Sequence, residues 1–327
     1  MVHAASCRNN VIKLSRGIAY LPDGGCIVRK RFFSFVLVLG WSGSAYAVPE
    51  FPENCKLQLQ ANLPFYLDRG HIMVATAVNG HLLHFMVDTG GVYSAISQRA
   101  AQAIGLHPSR LGPNAEIKDA AGAEATDFAL IDNITFSHFK AGGLRLMVAS
   151  LPAGEDGVLA PDLLRNFDIE VDFAAQTMTL FKQPRCDDHV VYWTDDFAKI
   201  PLNITPQGHI RIPVTVNGQK EKATLDTGSP FTLMGSDFAA QIGANGTSGG
   251  KALTLFGGNG GKVSGAGYKL DSLVVGKFEW VGLSVITISH DEGWRSDGAQ
   301  ILIGLDVMHD LHLFIDYKGE QIFVSQR

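Results

Sequence analysis

Apolar and polar positions alternate through residues 72–78 and again through 210–216, both rich in β-branched side chains, which predicts two strands. Asn79-Gly80 and Asn217-Gly218 follow at once. Asn-Gly at the end of such a run predicts a type I′ hairpin, because both central residues of that turn need positive φ. The return strands end in Phe85-Met86-Val87 and Ala223-Thr224-Leu225, and each delivers the chain to Asp-Thr-Gly. Short helices are expected over 97–104 and 236–242, stopped by Gly105 and Gly243. Segments 167–173 and 311–317 predict strands, each followed by a turn and a last strand at 177–181 and 321–324.

These matching elements share a register. Gly70-His71-Ile72 recurs as Gly208-His209-Ile210, and Val78-Asn79-Gly80 as Val216-Asn217-Gly218. Asp88-Thr89-Gly90 recurs as Asp226-Thr227-Gly228, and Ile104-Gly105 as Ile242-Gly243, all at an offset of 138. Beyond the glycine-rich stretch near 257–267 the offset becomes 144, where Asp162-Leu163 answers Asp306-Val307 and Asp172-Phe173 answers Asp316-Tyr317. The chain is therefore an internal duplication. Its parts are a segment 48–62, a first lobe 63–185 with Asp88, a linker 186–194 and a second lobe 195–327 with Asp226.

Duplicated Asp-Thr-Gly has a chemical consequence. If the halves pack about a pseudo-twofold axis, Asp88 and Asp226 meet on it, and two carboxylates about 3 Å apart share one proton. Such a pair deprotonates a water, polarises a carbonyl and returns a proton to a leaving amine, with no metal, cofactor or covalent intermediate. The glycines Gly90 and Gly228 allow close backbone approach. Thr89 and Thr227 are placed to hydrogen-bond across the axis, and Ser229 to hydrogen-bond the Asp226 carboxylate.

The sequence resembles the pepsin-like and retropepsin-like aspartic peptidases. The resemblance rests on Met86-Val87-Asp88-Thr89-Gly90-Gly91 and Thr224-Leu225-Asp226-Thr227-Gly228-Ser229. It rests also on the hydrophobic-hydrophobic-Gly signature, Leu302-Ile303-Gly304, with its counterpart Val158-Leu159-Ala160. It implies an all-β fold of two barrel-like lobes with a cleft between them, a protein or peptide substrate bound extended, and a β-hairpin flap. With both Asp-Thr-Gly copies in one chain, a monomer suffices for the site. Three departures stand out. Ala160 replaces a glycine, Gly91 puts no hydroxyl beside Asp88, and the first candidate flap, 117–128, lacks a tyrosine. The second candidate flap, 255–268, has only Tyr268. A catalytically weak or inactive peptide-binding protein on the same fold is the alternative reading.

Composition narrows the setting. Arg29-Lys30-Arg31, the short apolar run 32–39 and Ala45-Tyr46-Ala47 predict a secretory signal peptide over 1–47, cleaved before Val48. The expected location is periplasmic or secreted, with no membrane attachment after cleavage. Cleavage removes six of the 27 basic and one of the 32 acidic residues and leaves a net charge of −10, which argues against nucleic acid as a partner. His71 and His209 are read as marking strand placement rather than chemistry. His81 and His84 lack metal-site spacing, and the Gly257–Gly261 run lacks nucleotide-loop spacing.

Cys55 and Cys186 are the two cysteines left after cleavage, and in an oxidising compartment they are expected to pair. Mature protein denatured without reductant should then expose no free thiol; two free thiols would contradict the pairing.

Overall fold

The computed structural model describes residues 12–14, 17–19, 57–112, 117–118, 124–182, 190–242, 252–256, 262–289 and 298–327. Residues 29–47 of the expected signal peptide, Cys55, Cys186, Gly243 and the tip of the second candidate flap lie outside these residues. Among those described, no helix is long and apolar enough to cross a membrane.

The chain is almost entirely β and builds two barrel-like lobes. In the first, His71–Val78 pairs with His81–Val87 through a tight turn in which Asn79 and Gly80 have φ of 49° and 84°. The second lobe repeats this with Ile210–Val216, Gln219–Leu225 and φ of 46° and 83° at Asn217 and Gly218. Both turns are held from outside: the Asn79 side chain accepts from the amides of Asp132 and Asn133, and Asn217 from that of Ser272. The first ring closes through Gly157–Leu159, Ala95–Ser97 and the long hairpin Asp127–Phe136/Phe139–Ala149, which returns to pair with His71–Val78. The expected helices form at Gln98–Ala103, capped by the Ser97 hydroxyl, and at Ser236–Gln241.

A six-stranded layer joins the lobes. Its order is Phe197–Pro201, Gln321–Gln326, Leu311–Asp316, Phe167–Asp172, Thr177–Lys182 and Gln58–Asp68. The central pairing sets Ile169 opposite Ile315, Glu170 opposite Phe314 and Val171 opposite Leu313. At an offset of 144, Ile169 corresponds to Leu313 and Val171 to Ile315, so the pseudo-twofold axis passes through the Glu170–Phe314 pair.

The face of this layer that carries Glu170 holds buried polar groups. Glu170 meets the His312 ring at 2.8 Å and accepts from the Tyr192 hydroxyl at 2.7 Å, while Trp193 stacks on His312 with centroids 3.9 Å apart. Asp168 is buried nearby and its Oδ1 has no hydrogen-bond partner among the described residues. Burial, reinforced by Asp316, pushes its carboxyl up to about 7. An unfolded aspartate ionises near 4. The native state therefore binds the extra proton, and this contribution to stability is full below about pH 4 and lost as pH rises through about 7. Asp168→Asn should reduce that loss. In urea titrations at about pH 5 and pH 8, the variant should lose less stability between the two than the parent; equal losses would contradict the assignment.

Candidate active site

Each Asp-Thr-Gly leaves a buried strand end and is clamped by the hydrophobic-hydrophobic-Gly segment of its own lobe. Gly157–Leu159 runs parallel to the end of His81–Val87, with Val158 beside Met86, and the Asp88 amide donates to the Leu159 carbonyl at 2.9 Å. Ile301–Ile303 runs likewise beside the end of Gln219–Leu225, and the Asp226 amide donates to Ile303 at 3.0 Å. The departure at Ala160 leaves this arrangement intact: Ala160 is buried, extended like Gly304, and starts the helix Pro161–Leu164 as Gly304 starts Leu305–Met308. At Gly304 glycine is required, because a Cβ would come 2.3 Å from the Phe231 carbonyl oxygen.

The lobes meet through Thr89 and Thr227. The Thr89 amide donates to the Thr227 hydroxyl at 3.0 Å, and the Thr227 amide to the Thr89 hydroxyl at 3.1 Å. Each hydroxyl donates onward at 2.8 Å, Thr89 to the Leu225 carbonyl and Thr227 to that of Val87. This crossed set is buried and symmetric. It brings each aspartate against the other lobe's glycine. A Cβ on Gly90 would fall 2.3 Å from the Asp226 Cγ, and one on Gly228 would fall 2.4 Å from an Asp88 oxygen. No side chain other than hydrogen leaves room for the opposing carboxylate.

The two carboxyls are within hydrogen-bonding reach of one another and partly buried. Burial pushes Asp88 up, against hydrogen bonds from Asp226 and from the amides of Gly91 and Gly90. Asp226 is held well above the ordinary range by burial and then by the Asp88 charge, with the amides of Gly228, at 2.8 Å, and Gly90 opposing. The Asp88 charge raises Asp226 further, whereas the hydrogen bond from Asp226 lowers Asp88, which favours the charge on Asp88 and the shared proton on Asp226, although the pair titrates as a unit. One carboxylate and one carboxylic acid in contact can activate a water and polarise a carbonyl.

The Ser229 expectation is corrected. Its hydroxyl donates instead to the Phe231 carbonyl at 2.7 Å, across the turn at Pro230. Tyr268 is also displaced from a flap role: it lies in the hydrophobic core. Both candidate flaps do form antiparallel pairs, Ile117–Lys118 with Glu124–Ala125 and Ala252–Phe256 with Lys262–Lys269.

A second layer of support went unread in the sequence. Asp162 accepts from the Ser94 amide at 2.9 Å and hydroxyl at 2.6 Å, and that hydroxyl accepts from the Ala160 amide at 2.9 Å. Asp306, Thr232 and Gly304 repeat the arrangement at 2.9, 2.6 and 3.2 Å. The available signal was the coincidence of Ser94 with Thr232 at offset 138 and of Asp162 with Asp306 at 144.

A family model described as aspartyl protease matches residues 74–163 and 212–307. Among solved structures, soybean basic 7S globulin is similar at 13% identity, with 83% of this chain and 95% of that one covered and a TM-score of 0.46. Conglutin gamma, a basic 7S globulin from lupine seeds, is similar at 12% identity, with 83% and 96% covered and a TM-score of 0.49. A search of curated proteins finds no match.

Replacing either threonine by valine orphans one buried carbonyl and one buried amide across the lobe boundary. Thr89→Val and Thr227→Val should each lower unfolding free energy by roughly 2–5 kcal/mol, and by similar amounts because the contacts are equivalent. Urea denaturation of both variants checks this; a negligible cost in either would show that the crossed contact is not what joins the lobes.

Proposed function

The chain belongs to the aspartyl protease family, and we propose that it is an endopeptidase in which Asp88 and Asp226 activate water between them. The observation that carries this reading is the adjoining, partly buried carboxyl pair, each member seated against the other lobe's Asp-Thr-Gly glycine. Asp88 serves as base toward the attacking water while the proton on Asp226 polarises the scissile carbonyl, and the pair then protonates the departing amine. The substrate is a protein or peptide in extended form. Tyr93 and Phe231, equivalent at offset 138 and each five residues past its aspartate, are 51% and 48% exposed and suit apolar substrate side chains. The leader composition supports action in the periplasm or outside the cell.

One observation favours the second reading, a peptide-binding protein that does not cleave. The Ser229 hydroxyl bonds the Phe231 carbonyl and Gly91 has no hydroxyl to give Asp88, so neither carboxyl is held by the hydroxyl of the residue three along in the described residues.

Mature protein incubated with an unfolded, randomised peptide pool from about pH 3 to pH 8 separates the two. Cleavage should follow a bell with an acid-to-neutral optimum, limited on one side by loss of the anion and on the other by loss of the shared proton. Asp88→Asn and Asp226→Asn should each lower kcat by at least about a thousandfold, and pepstatin should inhibit. Binding without cleavage at any pH would favour the second reading; cleavage surviving both substitutions would place the chemistry elsewhere.

A further inference from the structure

His71 and His209 stand at the same place in the two repeats, each just after a glycine with positive φ, 85° at Gly70 and 97° at Gly208. Both glycines press on the opposite lobe. A Cβ on Gly70 would come within 2.8 Å of Pro230 Cβ, and one on Gly208 within 2.6 Å of Pro161 Cβ. Pro230 lies four residues past Asp226, and Pro161 follows Ala160 in the segment that clamps Asp88. The two strand starts therefore cross the lobe boundary and lie against each other's active loops. The His71 ring faces the Gly228 backbone and lies within electrostatic reach of Asp88. His209 also lies within electrostatic reach of Asp88. Both residues are half-buried, and the Nδ1 of His71 is enclosed without a hydrogen-bond partner among the described residues.

We propose that His71 and His209 are positioning residues that hold positive charge beside the carboxyl pair from opposite lobes and favour its singly ionised form. The inference rests on Asp88 and Asp226 being the reacting pair. Burial is the largest influence on His71 and, with Arg69, lowers the pKa of its imidazole, against Asp88, Asp68 and the Gly228 backbone, which raise it, so its positive charge belongs to the acid side of the pH range. The groups facing Asp88 are Asp226, His209 and the amides of Gly90 and Gly91. A protonated imidazole near Asp88 makes the carboxylate easier to form, and the carboxylate makes the imidazole easier to protonate. The negative charge is thereby kept to lower pH than burial alone would permit, which extends activity on the acid side.

The test is the pH profile of kcat/KM for the parent, His71→Gln, His209→Gln and the double variant. Loss of a neighbouring positive charge should move the acid limb to higher pH by roughly half a unit to one unit in each single variant. The double variant should move further, with KM at the optimum little changed. Profiles that superimpose after scaling would overturn the proposal, since a purely structural role lowers activity without moving the limb. Asp88→Asn separates the two levels: cleavage surviving it sinks the reading of the pair, whereas lost cleavage with unmoved histidine-variant profiles sinks only this inference. If a histidine variant does not fold, the reciprocal measurement decides. NMR titration of the His71 imidazole should place it at lower pH in Asp88→Asn than in the parent, and an unchanged titration would overturn the proposal.

Discussion

The crossed contact between Thr89 and Thr227 is the constraint from which the site follows. Each threonine uses its hydroxyl twice, accepting from the other lobe's amide and donating to the carbonyl just before the other lobe's aspartate. That pattern fixes both translation and rotation between the two loops. With Gly90 and Gly228 as the next residues, the carboxyls have one place to go, which is against each other. The Glu170–Phe314 pairing marks the same axis within the joining layer. Two anchor points on one axis allow a duplicated sequence to make a site precise to fractions of an ångström.

Partly burying two carboxyls works against the folded state, because burial disfavours their charged forms. Amides of Gly90, Gly91 and Gly228 offset part of this, unequally. The duplication is therefore symmetric in backbone and asymmetric in electrostatics, and in the proposed reaction that asymmetry sets base and acid apart. Glycine at 91 in one lobe and Ser229-Pro230 in the other are where the repeats diverge. Away from the dyad, Asp162 and Asp306 brace the loops from within their own lobes through Ser94 and Thr232.

Local features were legible in the sequence because their causes are local. Asn79-Gly80 and Asn217-Gly218 announce their turns through positive φ, and Ser97 announces its helix through its cap. The meeting of Asp88 and Asp226 was legible too, because a constant offset implies an axis. Features that depend on which surfaces touch across that axis were not. His71 and His209 read as strand markers, since nothing in a strand pattern tells that its first residue crosses to the opposite lobe. Ser229 read as a partner of Asp226, but its hydroxyl bonds the Phe231 carbonyl across the turn at Pro230. Ala160 read as a departure, yet its methyl is buried without disturbing the extended backbone, whereas a Cβ at Gly304 would meet the Phe231 carbonyl.

The most direct test of the account is the ionisation of the pair itself, followed by ¹³C NMR of aspartate carboxyl carbons in the parent, Asp88→Asn and Asp226→Asn across the stable pH range. The account predicts two widely separated ionisations in the parent that belong to both carboxyls together, and one ionisation in each variant. Two independent ionisations near 4, unaffected by removal of the partner, would contradict it.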